Sequence, residues 1–428
     1  MSESQSTIGM PVEQGLYTLI LGIIPKGQEN SPLYFYNSED SRVNFCTIYG
    51  VSIHESICDI ISTCKIEVEV PFTWLDKQYL TDGSKISIEM KLNGKLSKEL
   101  QQYNEKPYIY RIFSIDKIED HGLIVRLIIS GVTDFVCGYG DANKLNCSCT
   151  TSNVFDKCAK EYKFSQTDID TTSDKQLWIS NGRTIYQFLT YCCQYGWANK
   201  TSAMMWAIDR NKKLYYKNIV DVFNSGCKNG KCMNIRVGSL GVPVITSVPF
   251  GLNNVKLNAY GTDGDVFTLV ENGESENTKY DYVTVNGDDL TKTSECTCVC
   301  KGCGCKSGQD WFSFNVGNHN KNYFRAAIQN KQILSTYSTF LSVRFTPTTG
   351  IVAKNSIVPF FEAFHLFDTA NLTYTLYAEK DKFINMKALT SKCMVESIDI
   401  NITQEHAATN VKFVTQGFNT KNNNKAVN

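Results

Sequence analysis

Period-two alternation of apolar and polar residues is the feature that most limits what this chain can become. Between Lys65 and Val70, the side chains of Ile66, Val68 and Val70 point one way while Lys65, Glu67 and Glu69 point the other. That is the pattern of a strand with one buried face. Lys85 to Leu92 repeats it with Ile86, Ile88, Met90 and Leu92 on the apolar side, and Asn93-Gly94 supplies a turn after it. Tyr108 to Ile118 and Leu123 to Ser130 read as a long hairpin. Its turn, Glu119-Asp120-His121-Gly122, ends on a glycine that tolerates positive φ. These segments predict an N-terminal sheet or barrel of about five or six strands.

The period changes in the middle of the chain. Ser152 is placed to cap a short helix carrying Val154, Phe155, Cys158 and Tyr162 on one side. A second helix is expected from about Arg183 to Tyr195, because Ile185, Phe188, Leu189 and Cys192 fall at i, i+3, i+4 and i+7; Gly196 stands at its C-terminal cap position. Met204 to Asp209, a turn at Arg210-Asn211-Lys212, and Lys213 to Lys217 then form a hairpin beside the helices. Strand patterns return after about residue 236, at Asn254 to Tyr260, Phe267 to Val270, Phe340 to Thr346, Leu372 to Glu379, Met394 to Ile402 and Val411 to Gln416. One helix is expected among them, near Asn320 to Leu334. The expected architecture is mostly β with a small α+β insert: a first barrel over 1–146, an insert over 147–235 and a second barrel over 236–416. The second barrel carries a polar, Gly- and Cys-rich insertion at 271–309, and a disordered tail follows at 417–428.

Charge narrows the function. Lys+Arg and Asp+Glu are both 43, and no basic block stands out, so the chain lacks the footprint of a protein that grips nucleic-acid phosphates. Zero net charge gives little electrostatic protection against self-association, which suits a subunit built to assemble. The acidic, polar start is no secretory signal, and the apolar stretch Leu16 to Ile24 is too short to span a bilayer and stops at Pro25. Folding in a cytosol is therefore expected. The 17 cysteines are then read as thiols or metal ligands rather than disulfides.

Two cysteine groups invite metal chemistry. Cys296, Cys298, Cys300, Cys303 and Cys305 crowd into one decapeptide, with Gly302 and Gly304 allowing tight turns. Four such thiolates would satisfy a structural zinc or an iron–sulfur centre, although the spacing matches no standard zinc finger. The plainer reading is an exposed loop of reduced thiols, or one with local disulfides, limited because Cys-x-Cys rings are strained. Cys147 and Cys149 open the middle segment, and Cys227 and Cys232 close it at a plausible hairpin tip. These four could pin both ends of the insert with one structural zinc, or be two unrelated surface pairs. Cys46, Cys58, Cys64, Cys137, Cys192 and Cys393 read as small core residues. Catalytic signatures are weak: no zinc-protease, nucleophile-elbow or phosphate-loop motif is present. Glu362 and His365 have metal-carboxylate spacing but occur once, in an apolar stretch better read as packing. The five histidines, His54, His121, His319, His365 and His406, single out no Cys-His pair.

Leu177 to Trp197 with Met204 to Asn218, Gly317 to Phe345, and Cys393 to Phe418 are three stretches that together resemble the central baseplate hub proteins of contractile-tailed bacteriophages, a family shared with contractile injection systems and type VI secretion spike bases. The first is "LWISNGRTIYQFLTYCCQYGW" followed by "MMWAIDRNKKLYYKN". There Trp178, Phe188, Leu189, Asp209, Arg210, Leu214 and Tyr216 match the family's Trp-helix-hairpin pattern. The second is Gly317 to Phe345, similar to a helix running into a strand of the second barrel. The third is the closing hairpin "CMVESIDINITQEHAATNVKFVTQGF". The cysteine-rich insertion has no counterpart expected in that family. The resemblance implies a non-enzymatic homotrimer whose duplicated barrels make a six-part ring, a symmetry adapter between tail tube protein and central spike protein. It also implies contact with baseplate wedge proteins, passage of DNA without sequence recognition, and a place in the virion tail after assembly in the bacterial host cytoplasm. Tyr323, Leu341, Val343, Phe345, Ile398 and Ile400 would form the second barrel's core. Two rivals remain on sequence grounds: a β-rich receptor-binding adhesin, and a metal-dependent cell-wall hydrolase.

Overall fold

A computed structural model of the chain describes residues 17–28, 33–35, 47–72, 83–92, 107–120, 122–135, 145–198, 204–219, 221–222, 233–238, 244–247, 257–260, 268–269, 278–286, 289–297, 343–345, 348–353, 356–358, 364–380, 383–403 and 407–415. The first seven strands are β1 (Tyr17–Ile24), β2 (Leu33–Tyr34), β3 (Thr47–Ser56), β4 (Thr63–Pro71), β5 (Lys85–Leu92), β6 (Tyr108–Asp120) and β7 (Ile124–Thr133). They pair antiparallel in the order β2-β1-β5-β6-β7-β4-β3. The alternation read from the sequence becomes the core: Ile66, Val68 and Val70 of β4, Ile86 and Ile88 of β5, and Leu127 and Ile129 of β7 are all buried. The apolar stretch that was too short for a bilayer is β1, with Leu19, Leu21 and Ile23 turned inward. Each such side chain contributes roughly 1.5–3 kcal/mol on leaving water. The expected turn residue Gly122 takes φ +82° between β6 and β7. Gly131 answers a different demand, because a Cβ there would meet Tyr110 Cβ at 2.9 Å and Cys64 Sγ at 3.0 Å.

The middle of the chain is an α+β unit. It consists of β8 (Asn146–Cys149), α1 (Thr151–Glu161), β9 (Gln166–Ile169), β10 (Gln176–Ile179), α2 (Ile185–Tyr195), β11 (Met204–Ile208) and β12 (Lys213–Asn218). β8 pairs with β10, and β12 lies between β11 and β9. The caps differ from the sequence expectation. Thr150, not Ser152, is the N-cap of α1, and its side chain makes no capping bond. Side chains from the segment before β10 supply the cap instead: Thr151 N–H donates to Asp174 Oδ1 at 3.0 Å and Ser152 N–H to Thr172 Oγ1 at 2.9 Å. Thr184 caps α2 in a full capping box with Gln187. Gly196 does end α2, but with φ −80°, not in the left-handed region. Glycine is needed because a Cβ there would run into the Tyr216 hydroxyl, and Thr151 Oγ1 would lie 2.9 Å away.

The rest of the chain is strands among the described residues. These are β13 (Met233–Gly238), β14 (Val244–Ser247), β15 (Leu257–Tyr260), β16 (Thr268–Leu269), β17 (Thr278–Asn286), β18 (Asp289–Thr297), β19 (Val343–Phe345), β20 (Thr348–Ala353), β21 (Ser356–Val358), β22 (Thr369–Lys380), β23 (Phe383–Thr403) and β24 (Ala407–Thr415). Within the region read as a polar insertion, β17 and β18 form an antiparallel hairpin from Thr278↔Thr297 to Asn286↔Asp289. Tyr280 and Tyr282 share one parity there while Val283 and Val285 fall on the other, among Thr, Lys and Asp, so no clean alternation marked the hairpin. β23 is 21 residues long. Its first half pairs with β22, and its last residues lie between β24 and β3, with Ser397↔Ser56 through Thr403↔Gly50. That pairing makes one hydrogen-bonded network across both strand-rich halves. Ile398 and Ile400 are fully buried, and Val343 and Phe345 fall in β19. The expected helix at 320–334, with Tyr323, and also Leu341 and the tail at 417–428, lie outside the described residues.

His54 of β3 bridges this seam. Its Nδ1 is 2.5 Å from Asp399 Oδ1 on β23 and its Nε2 is 2.9 Å from Asp59 Oδ2. Only the imidazolium donates at both nitrogens. The hydrogen bond to Asp399, aided by Asp59, raises its pKa to about 9 despite partial burial. A raised folded-state pKa gives stability that is complete below the unfolded value of about 6.5 and lost as pH rises through about 9. The urea midpoint of the natural chain should therefore exceed that of His54→Gln at pH 6, and the gap should close by pH 10. A gap independent of pH would show that the two carboxylates do not hold the imidazolium.

Candidate functional site

The middle unit meets the strand-rich body at the turn between β11 and β12, and the sequence of that turn explains the join. Asp209 is fully buried and organises the turn: its Oδ1 accepts the N–H groups of Asn211 and Lys213, each at 2.9 Å. Its Oδ2 accepts the Tyr215 hydroxyl at 3.0 Å. Burial, with the Asp209 charge next, pushes the Tyr215 phenol well above its usual range, so it stays a donor. The turn then projects Arg210 into the body. Arg210 Nη1 pairs with Glu55 Oε1 of β3, and both side chains are 0 % exposed. Arg210 N–H donates to Glu55 Oε2 at 3.0 Å, and Nη2 donates to the Phe364 carbonyl at 3.0 Å. The guanidinium also lies 5.8 Å from the centre of the Tyr108 ring.

Glu55 stands there because of strand parity. Val51 and Ile53 of β3 face the core, and two residues further on Glu55 faces it too. A buried carboxylate at an apolar position requires a partner, and Arg210 is that partner, 155 residues away. Backbone bonds reinforce the join: Ile208 N–H donates to the Ile60 carbonyl at 2.6 Å, and Ser62 N–H to the Ile208 carbonyl at 3.1 Å. One interaction thus touches β3, the middle unit and the Phe364 segment just before β22.

Apolar residues of the Trp-helix-hairpin pattern come together. Trp178, Phe188, Leu189, Leu214 and Tyr216 are all buried in one cluster. Phe155 stacks on Tyr216 at 4.0 Å between ring centres, and Trp178 Nε1 donates to the Cys149 carbonyl at 3.2 Å. Asp174 is 3 % exposed and receives Thr151 N–H, the Thr151 hydroxyl and, at 3.3 Å, Trp197 N–H. Burial raises its pKa, and those hydrogen bonds oppose the rise. It sits at the N-terminus of α1, where the helix dipole favours a negative charge.

Three of the nine cysteine candidates fall among the described residues. Cys147 and Cys149 are joined to each other as a disulfide, which leaves no thiolate for zinc unless that bond is reduced. Cys296 falls in β18. Cys227, Cys232, Cys298, Cys300, Cys303 and Cys305 lie outside the described residues, as does Glu362. Among the described residues no group of three or more metal-ligating side chains converges. A cavity of about 240 Å³ opens between α2, β11 and the β3–β4 turn, lined by Ile57, Cys58, Ile60, Cys193, Met205 and Trp206 among others. Its lining holds no carboxylate, imidazole or ammonium. Cys58, expected in the core, is exposed at this opening; partial desolvation of its sulfur, with the Glu396 and Asp59 charges, still pushes the thiol up to about 11. No helix of the described residues is long and apolar enough to cross a membrane.

No family model and no curated protein matches the sequence. Solved structures are similar to the chain. A 43 kDa prophage tail protein from Shewanella oneidensis is 9% identical, over 93% of this chain and 98% of that one, with a TM-score of 0.48. A tail protein from Neisseria meningitidis is 8% identical over 92% and 96% of the two chains, with a TM-score of 0.48. A type VI secretion component from E. coli is 5% identical over 86% and 74%, with a TM-score of 0.38.

Removing one partner of the buried pair should be costly. Arg210→Met or Glu55→Gln alone is expected to lower unfolding free energy by about 3–5 kcal/mol, because one buried charge or its hydrogen-bonding groups lose their complement. In a double-mutant cycle in urea built from Glu55→Leu, Arg210→Met and both together, the double should cost much less than the sum of those two singles. Gly196→Ala is expected to cost about 1–3 kcal/mol by overpacking, and Tyr216→Phe in the same chain should recover part of that loss.

Proposed function

We propose that this chain is a structural subunit of a phage-type tail, the hub at the base of the tail, working as a homotrimer that joins the tail tube protein to the central spike. The single observation that supports it most is the sealed Glu55–Arg210 pair, which locks the insert to the strand-rich body. A machine part that transmits force between a tube and a spike needs that rigid arrangement. A hinged two-domain enzyme needs the opposite, since substrate closure requires relative motion. Asp209, Arg210, Leu214, Tyr216, Trp178, Phe188 and Leu189, which carry the sequence resemblance to tail hubs, are the residues that build this junction and the core behind it.

The surface suits assembly. Leu123 is 84% exposed at the tip between β6 and β7, and Phe72 beside it donates its N–H to the Leu123 carbonyl. Ile118 and Phe113 are exposed along β6. Leu177 and Ile179 of β10 are exposed as well; large apolar side chains left in water are expected where another subunit covers them, and zero net charge lowers the barrier to association. Contact with baseplate wedge proteins, passage of DNA through the ring without base reading, and a location in the tail of a virion assembled in the host cytoplasm all belong to this proposal.

Native mass spectrometry of the purified chain tests it. A trimer is expected, and Phe113→Ser with Leu123→Ser should shift it toward monomer without changing the urea midpoint of the monomer. A monomer at high concentration that also fails to trimerise with a spike protein would reject the hub, and binding to glycans would then favour an adhesin.

A further inference from the structure

Cys147 and Cys149 lie at i and i+2 on β8, opposite Trp178 and Gln176 of β10, with Cα atoms 5.4 Å apart. That separation is ordinary for a bonded pair. A ring closed over one intervening residue removes little freedom from the unfolded chain, so it adds little stability. β8 is held in any case by its ladder to β10 and by the Trp178 bond to the Cys149 carbonyl. The sulfurs have a further neighbour: Lys157 Nζ, on the exposed side of α1, is 3.1 Å from Cys147 Sγ. An ammonium beside a sulfur favours its thiolate. Cys149 is half-buried and Cys147 nearly buried, so Cys149 offers the more reachable sulfur. The buried thiols Cys64, Cys192, Cys193 and Cys393 are different, because burial pushes their pKa values up.

We infer that Cys147 and Cys149 form a redox-active pair that exchanges with low-molecular-weight thiols of the glutathione class, with Lys157 holding the leaving thiolate. A small thiolate attacks Cys149 Sγ. The Cys147–Cys149 bond breaks, and its electron pair leaves on Cys147 Sγ beside the Lys157 ammonium. A second small thiolate attacks the small-thiol sulfur of the mixed disulfide and releases Cys149 as a thiolate. Both protein sulfurs take up protons as pH requires, so two small thiols become one small disulfide and the protein gains two electrons. The reverse reaction uses the small disulfide as oxidant. This inference is independent of the hub reading, since it concerns two sulfurs and one lysine and no partner chain.

The test equilibrates the full chain in glutathione mixtures from fully oxidised to fully reduced, quenches it, alkylates it with N-ethylmaleimide and weighs the peptide carrying both residues. The pair should pass from disulfide to doubly labelled across the series, while the buried thiols stay unlabelled in the native protein. In Lys157→Gln, labelling of reduced Cys147 at pH 7 should slow several-fold and its pH midpoint should rise. A pair labelled at every ratio, or a disulfide at every ratio, would overturn the inference. So would thiols that become labelled only after a chelator strips a co-purified metal. An unchanged pH midpoint in Lys157→Gln would overturn the role given to the lysine.

Discussion

A carboxylate and a guanidinium sealed from water at the centre of the chain set the terms for everything around them. Glu55 and Arg210 come from segments 155 residues apart, and neither can be buried without the other. Glu55 Oε2 also accepts the Arg210 backbone N–H, and Arg210 Nη2 donates to the Phe364 carbonyl. The pair therefore adds a requirement that apolar packing alone would not impose. The β11–β12 turn must approach β3 in one orientation, because a guanidinium rotated away leaves a buried charge uncompensated. Apolar surfaces tolerate small slips, whereas this contact does not.

Much of the fold was legible because alternation survives where one face is wet. β4, β5, β6 and β7 lie within two or three residues of where the pattern put them, and α2 begins two residues after its expected start. What escaped were features whose cause is distant in sequence. Glu55 lies at an inward parity in β3, and an acid in step with Val51 and Ile53 is the one local signal that a buried pair existed. Nothing near it names Arg210. The cap of α1 also escaped, because its acceptors are Asp174 and Thr172, some 20 residues later. Ser152 looked like the cap by type, yet it sits inside the first turn. Gly196 was located correctly for a reason the sequence does not contain, the approach of Tyr216.

The middle unit shows how a small core becomes specific. Its helices are only 11 residues each, short enough to be marginal alone. Phe155 against Tyr216, Trp178 against Tyr191, and the Asp174 hub of hydrogen bonds give them tertiary support. Cys158, Cys192 and Cys193 fill the space between as small apolar groups. Sulfur thus stands in two settings within one unit: as buried thiols between the helices, and as a bonded pair on β8 with the Lys157 ammonium beside Cys147.

The pairing of β23 with β3 has a consequence for how the chain is made. His54 and Asp399 meet across 345 residues of sequence, so the side of β3 that pairs with β23 waits until β23 has been made. Contacts of such long range slow folding, since the loop must close before any pairing rewards it. During synthesis the β3 edge, with Val51 and Ile53 beneath it, is open to pairing with other nascent chains. Emergence of β23 therefore acts as the folding trigger: a truncation before residue 397 would leave that edge bare however well the first seven strands had formed.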